Sequence, residues 1–269
     1  YCRVDMAGNL SGITAKEFPV FNYLIYIAFE LFGFDHWYGR LINLIVSSFG
    51  LYFFYRIIKQ ISTPDIAFAS GIILAVSIWF AFSRKIMPDT FSMSLVLGGI
   101  FFALQYLYEK KKYGIWLFTI FATIGVLSKI PSGFILIVLV LPLFDTKIAI
   151  RQKAMLCIGG IIIIIINGLW YFYWAPYIVE KHGYAHYPVQ PYLRGIKEIF
   201  THLPATFNRF YFSALHSFVA FAIFLAGVVW LFIKKEKRYG LIFSLSLFAF
   251  VVFMFKAGFS FHHHSYYII

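Results

Sequence analysis

Four short stretches bring ionisable side chains together in an otherwise apolar chain. "SRKIMPDTFSM" (83–93) holds Arg84, Lys85 and Asp89, "TAKEFPVFNYL" (14–24) holds Lys16 and Glu17, "LSKIPSGF" (127–134) holds Lys129, and the terminal "HHHSYYII" holds His264 and Tyr267. A carboxylate can take a proton from an attacking hydroxyl, and lysine or arginine can hold an anion. Each stretch also has a plain structural account. Pro88 suits a first helical turn, and Asp89 behind it sits where the helix dipole favours a carboxylate, with Arg84 and Lys85 within reach as snorkelling cations. Lys16 and Glu17 fit the entry to a helix lying on a bilayer, and Lys129 fits a cation at a hairpin tip. Three adjacent histidines point in different directions on any regular backbone, so His262 to His264 make a weak metal signal. No other metal-ligand spacing appears; no cofactor is called for, and a divalent metal is compatible with the pattern but not indicated.

The elements that must carry these residues are set by composition. Of the 269 residues, 61% are hydrophobic, 22% aromatic and 13% charged, with a mean hydropathy of +0.80. That lies outside the range of a soluble domain, and apolar runs near the bilayer-crossing length recur throughout. The expected fold is all-α, a polytopic transmembrane bundle of about eight spans. They are Tyr38–Ile58, Ile66–Phe82, Pro88–Tyr108, Gly114–Ser128, Gly133–Phe144, Ala154–Trp174, Ala214–Ile233 and Gly240–Phe255. The fourth and fifth are short and are parted only by "KIPS". Residues 18–34 are aromatic and amphipathic, and Glu30 and Asp35 argue for an outer interfacial helix there.

Twelve of the 23 lysines and arginines fall in four short connections, which hold Arg56 and Lys59; Lys110 to Lys112; Lys147, Arg151 and Lys153; and Lys234, Lys235, Lys237 and Arg238. The positive-inside rule makes those connections cytoplasmic. The formal charge of +12 is then accounted for by topology and phospholipid headgroups, and nucleic acid is excluded as a partner. All eight histidines fall on the opposite side, with Glu17 and Asp89. The spans look almost free of polar groups apart from Asn167, which favours an enzyme at the outer face over a transporter. The outer segment from Pro176 to Phe212, with an amphipathic stretch near Ile196–Leu203, is either a cover over a groove or a connecting loop. Cys2 and Cys157 form no disulfide framework.

In order and spacing, residues 1–44, "SRKIMPDTFSM", "LSKIPSGF" and the terminal "HHSYYII" resemble the C-type membrane glycosyltransferases, specifically the bacterial protein-mannosyltransferase-like and aminoarabinose-transferase-like enzymes. The resemblance covers essentially the whole chain, read as one partial domain over 1–269. It implies sugar transfer from a polyprenyl-phosphate donor to a lipid, glycan or protein acceptor, outside the bacterial cytoplasmic membrane. It implies that Asp89 and Glu17 are catalytic carboxylates. Arg84, Lys85 and Lys129 would bind the phosphate, with Lys16 beside Glu17, and His264 and Tyr267 would line the substrate pocket. The chain opens without methionine and stops within an aromatic segment, so a fragment is expected. Its family's first span and favoured catalytic carboxylate would lie upstream of Tyr1, leaving this portion inactive alone. A lipid-linked sugar flippase or transporter is the alternative; it would carry mid-span polar residues and inverted repeats. A polymer ligase is a third reading.

Overall fold

The computed structural model describes residues 2–3, 13–14, 17–182, 192–208, 218–233, 240–242, 244–249 and 252. Helices account for nearly all of it. The exception is a two-residue ladder, Cys2–Arg3 (β1) against Ile13–Thr14 (β2), antiparallel with Cys2 opposite Thr14. By contacts the chain divides into two compact units, residues 1–76, 80–133 and 142–187 in one, and 77–79, 134–141 and 188–269 in the other.

In the first unit, α1 (Val20–Phe32) ends at Gly33, whose φ of 83° is a left-handed conformation that glycine adopts without strain. It buries Phe21 but leaves Tyr23, Tyr26, Leu31 and Phe32 exposed. Apolar rings presented outward in this way suit the expected interfacial helix. Next come α2 (Trp37–Ile61), α3 (Pro64–Ala75) and α4 (Ile78–Phe82), then α5 (Pro88–Tyr108) and α6 (Tyr113–Ser128). A 3-10 segment (Ile130–Phe144) leads to α7 (Ile150–Gly168), which continues through a π turn (Leu169–Trp174) into α8 (Ala175–His182). The second unit takes the start of α4 and residues 134–141 of the 3-10 segment, together with α9 (Tyr192–Thr201), α10 (Leu203–Asn208) and α11 (Phe218–Ile233). The amphipathic stretch expected near 196–203 falls on α9 and α10.

Three helices among the described residues are long and apolar enough to cross a membrane: Trp37–Ile61, Pro88–Tyr108 and Ile150–His182. Helix length therefore does not reproduce the expected eight spans. The apolar run 66–82 is broken into α3 and α4, and 133–144 belongs to a 3-10 segment with Pro142 inside it. Pro142 donates no backbone hydrogen bond to that segment.

Helix α5 is the core of its unit. Its apolar window is 83% buried, against 17% for α2 and 22% for the helix beginning at Ile150. Small residues let its neighbours approach, as in other membrane helix pairs. A Cβ added at Gly99 would lie 3.1 Å from the Ala122 Cβ, and one at Gly125 2.7 Å from Val96 Cγ2. On α2 the buried residues are Gly39, Asn43, Ser47 and Gly50, one face of the helix, and Gly50 sits directly against Ser94.

Hydrogen bonds sort the chain into two ends of the bundle. At one, Gln60 Nε2 donates to Glu109 Oε1, Tyr108 Oη to Asp145 Oδ2, and Gln152 Nε2 to the Tyr106 carbonyl. Lys59, Lys110 to Lys112, Lys147, Arg151 and Lys153 flank these residues, so three of the four basic connections share that end; 234–238 lies outside the described residues. At the other end, Asn43 Nδ2 donates to the Lys85 carbonyl, Phe18 N–H to Leu127 O, and Tyr171 Oη to Leu127 O.

Candidate active site

The carboxylate of Asp89 is placed by the start of α5. Met87 is extended (φ −137°, ψ 137°), Pro88 fills the first turn where a missing N–H costs nothing, and Asp89 follows at the positive end of the dipole. The ammonium of Lys129 is placed by the end of α6. The chain leaves the helix by turning extended at Lys129 (φ −162°, ψ 106°), and Pro131 sits in the first turn of the 3-10 segment that follows. The turn is tied to α5 by hydroxyls: Ser92 Oγ lies 2.8 Å from the Gly125 carbonyl and 2.6 Å from Ser132 Oγ, and Ser132 Oγ donates to the Lys129 carbonyl at 2.8 Å. Gly125 makes this approach possible, since a Cβ there would stand 3.0 Å from the Ser92 carbonyl.

Glu17 arrives on the segment before α1, which docks on the same place. Phe18 N–H donates to Leu127 O at 3.0 Å, and the Phe18 ring meets Trp170 edge-on at 4.8 Å. Tyr171, in the π turn, donates to the Leu127 carbonyl at 2.8 Å. Single π turns inside α-helices recur at functional sites, where they re-aim a side chain.

These elements converge on one ammonium. Lys129 Nζ is 2.6 Å from Glu17 Oε1 and 3.5 Å from Asp89 Oδ1. The Asp89 side chain is 1% exposed, that of Lys129 9% and that of Glu17 19%. Two carboxylates on one cation leave a formal charge of −1 in a largely desolvated place. Such a group is suited to accepting a proton at the more open carboxylate, while the cation can be shared with an arriving anion.

Of the residues expected from sequence, Glu17, Asp89 and Lys129 come together. Arg84 and Lys85 do not join them: both are exposed on the turn before α5, and Lys85 Nζ lies 4.2 Å over the Phe82 ring. Adjacency in sequence suggested them as neighbours of Asp89, but the turn directs Lys85 to an aromatic face. Lys16, His264 and Tyr267 lie outside the described residues, as do His262 and His263. Among the described residues, no three His, Cys, Asp or Glu side chains are grouped to hold a metal.

The expectation that the spans are nearly free of polar groups is corrected. Asn43, Ser47, Thr90, Ser92, Ser94 and Gln105 are all buried. Single hydroxyls and amides set in long apolar runs barely shift a hydropathy average. The spacing of Gly39, Asn43, Ser47 and Gly50 was the available signal, a small and polar stripe at helical period.

Residues 16–172 match the family described as dolichyl-phosphate-mannose-protein mannosyltransferase. An uncharacterised protein of Aquifex aeolicus (strain VF5) is 24% identical over 246 residues, which cover 88% of this chain and 47% of that protein. The chain thus spans about half the length of the curated relative it matches. No solved structure matches it.

Proposed function

Because this chain belongs to the dolichyl-phosphate-mannose-protein mannosyltransferase family, we propose that it serves transfer of a sugar from a polyprenyl-phosphate donor to a cell-envelope acceptor, a lipid, glycan or protein. Transfer takes place at the extracytoplasmic face of the bacterial cytoplasmic membrane. The observation that carries the reading is the pairing of Glu17 and Asp89 with one lysine, at the end of the bundle opposite the basic connections.

In this mechanism an acceptor hydroxyl attacks the anomeric carbon of the donor with inversion, and the bond to the phosphate oxygen breaks. The hydroxyl proton passes to a carboxylate, for which Glu17 is the more accessible of the pair. The phosphate leaves on its polyprenyl chain with its negative charge met by cations. Lys129 supplies that charge within the cluster, and Asp89, the more deeply buried acid, holds Lys129 in place. Lys16, adjacent to Glu17 in sequence, is assigned to substrate binding, and His264 and Tyr267 to lining the pocket.

The test is transfer by the full-length protein in membranes, using a panel of polyprenyl-phosphate sugars, with Asp89→Asn beside wild type. Activity that collapses in the variant while the protein still accumulates supports the reading; undiminished activity returns Asp89 to a helix-capping role. Orientation is tested separately in a Cys2→Ser, Cys157→Ser background. A cysteine replacing Arg84 should react with an impermeant thiol reagent from outside, and one replacing Lys112 should not.

A further inference from the structure

Asn43 takes no part in the ion cluster, yet it is fully buried on α2, and three of its hydrogen bonds reach the residues around Asp89. Its amide nitrogen donates to two main-chain carbonyls of the turn before α5, Lys85 O at 2.8 Å and Met87 O at 3.1 Å. Its amide oxygen accepts from Thr90 Oγ1 at 3.0 Å. The amide orientation follows from this surround, because a flipped group would set oxygen against two carbonyls. The three partners bracket Asp89 in sequence: Lys85 and Met87 before it, Thr90 after it.

The other members of the buried α2 stripe do something different. Gly39 and Gly50 admit close packing, against Ile86 and Ser94 respectively, and Ser47 Oγ lies 3.5 Å from Asn43 Oδ1. Of the stripe, Asn43 is the member whose bonds reach carbonyls outside regular helix. The turn's own bonds, such as Lys85 N–H to Phe82 O at 3.0 Å, tie it back to α4, whereas Asn43 ties it to α2, and Met87 brings no side-chain cap to the start of α5.

We propose that Asn43 is a positioning residue: from α2 it clamps the turn before α5 and so sets where the Asp89 carboxylate stands against Lys129. The inference rests on the reading of Asp89 as part of the reaction site. Asn43 itself touches neither donor nor acceptor.

The experiment uses the full-length protein in membranes, with a nitroxide on Ile86→Cys in the exposed turn and, separately, on Lys112→Cys at the opposite end. With Asn43→Ala, motion of the label at 86 should increase while that at 112 is unchanged. In unlabelled protein, kcat for sugar transfer from a polyprenyl-phosphate mannose donor should fall roughly 10- to 100-fold, the scale expected for a misplaced reacting group. KM for the donor should stay within about twofold, since no binding contact is removed. Asn43→Asp keeps the volume and the Thr90 bond but turns oxygen toward both carbonyls; it should behave the same way, and it decides the matter if Asn43→Ala fails to accumulate. A general loss of folding would mobilise both labels, and that result overturns the proposal, as does wild-type kcat in a variant with a loosened turn. Asp89→Asn separates the two claims. If it is inactive while Asn43→Ala is fully active, the positioning role falls and the site reading stands; if Asp89→Asn is fully active, both fall.

Discussion

Helix α5 carries an acid at each end, and the two ends treat their charges in opposite ways. At its start, Asp89 is 1% exposed and shares Lys129 with Glu17. At its finish, Glu109 pairs with Lys111 at 2.7 Å with side chains 35% and 40% exposed, and Gln60 adds a hydrogen bond. The Lys111 ammonium is raised above the ordinary lysine value, first by its hydrogen bond to Glu109. A raised folded value means that whatever the pair contributes is present below the ordinary lysine value and lost as pH rises through the higher one, so it is constant across neutral pH. One end is open to water and the other is largely withdrawn from it, which is the difference the proposed site depends on.

The contrast can be broken most directly at Asp89. Asp89→Asn should lower sugar transfer by about 10²-fold or more, the range of a lost acid–base or charge-positioning group, as read by donor turnover in membranes. Glu109→Gln should leave turnover unchanged; an equal loss in both would dissolve the distinction between the ends.

Lys129→Met leaves two carboxylates without their shared cation and should cost about 3–5 kcal/mol, seen as a lowered detergent melting temperature. Adding Asp89→Asn to it should recover part of that loss, because one buried charge is then gone. Gly125→Ala probes the packing that brings α6 to Ser92. Its methyl would stand 2.7 Å from Val96 Cγ2, and overpacking of this kind costs roughly 1–3 kcal/mol. The smallest effect is expected at the open end, where Lys111→Ala should leave the melting temperature unchanged, as exposed pairs generally do.

The sequence made the membrane class and several helix limits readable, because apolar runs bounded by charge are local. The run Pro88–Tyr108 is an α-helix with those same bounds, and Tyr38–Ile58 lies within Trp37–Ile61. Hydropathy reports that a run is apolar, not how it winds, so the break between α3 and α4 and the 3-10 segment escaped it. The site was legible as residues but not as an arrangement. Glu17, Asp89 and Lys129 each stood out within two residues of a proline, yet Glu17 and Lys129 are 112 positions apart, and their meeting depends on how helices pack. Nearness in the chain favoured Arg84 and Lys85 as companions of Asp89. The hydroxyls that stitch α5 to α6, and Asn43 on α2, went unread for a related reason: their polarity is spent inside the bundle.

The winding of residues 130–144 bears on how a span should be counted. At about 2.0 Å per residue, fifteen residues of 3-10 helix reach roughly 30 Å, whereas the same residues as an α-helix would reach about 22 Å. The 21 residues of α5 cover about 31 Å. The 3-10 segment is anchored by Ser132 at one end and Asp145 at the other, to the same helix that carries Asp89 and Tyr108. Two elements of unequal residue count thus have similar contour length. Shortening the second element by letting it relax to α geometry would draw Lys129 and Asp145 toward each other by several ångströms. The 3-10 winding thus lets fifteen residues reach as far as the twenty-one of α5.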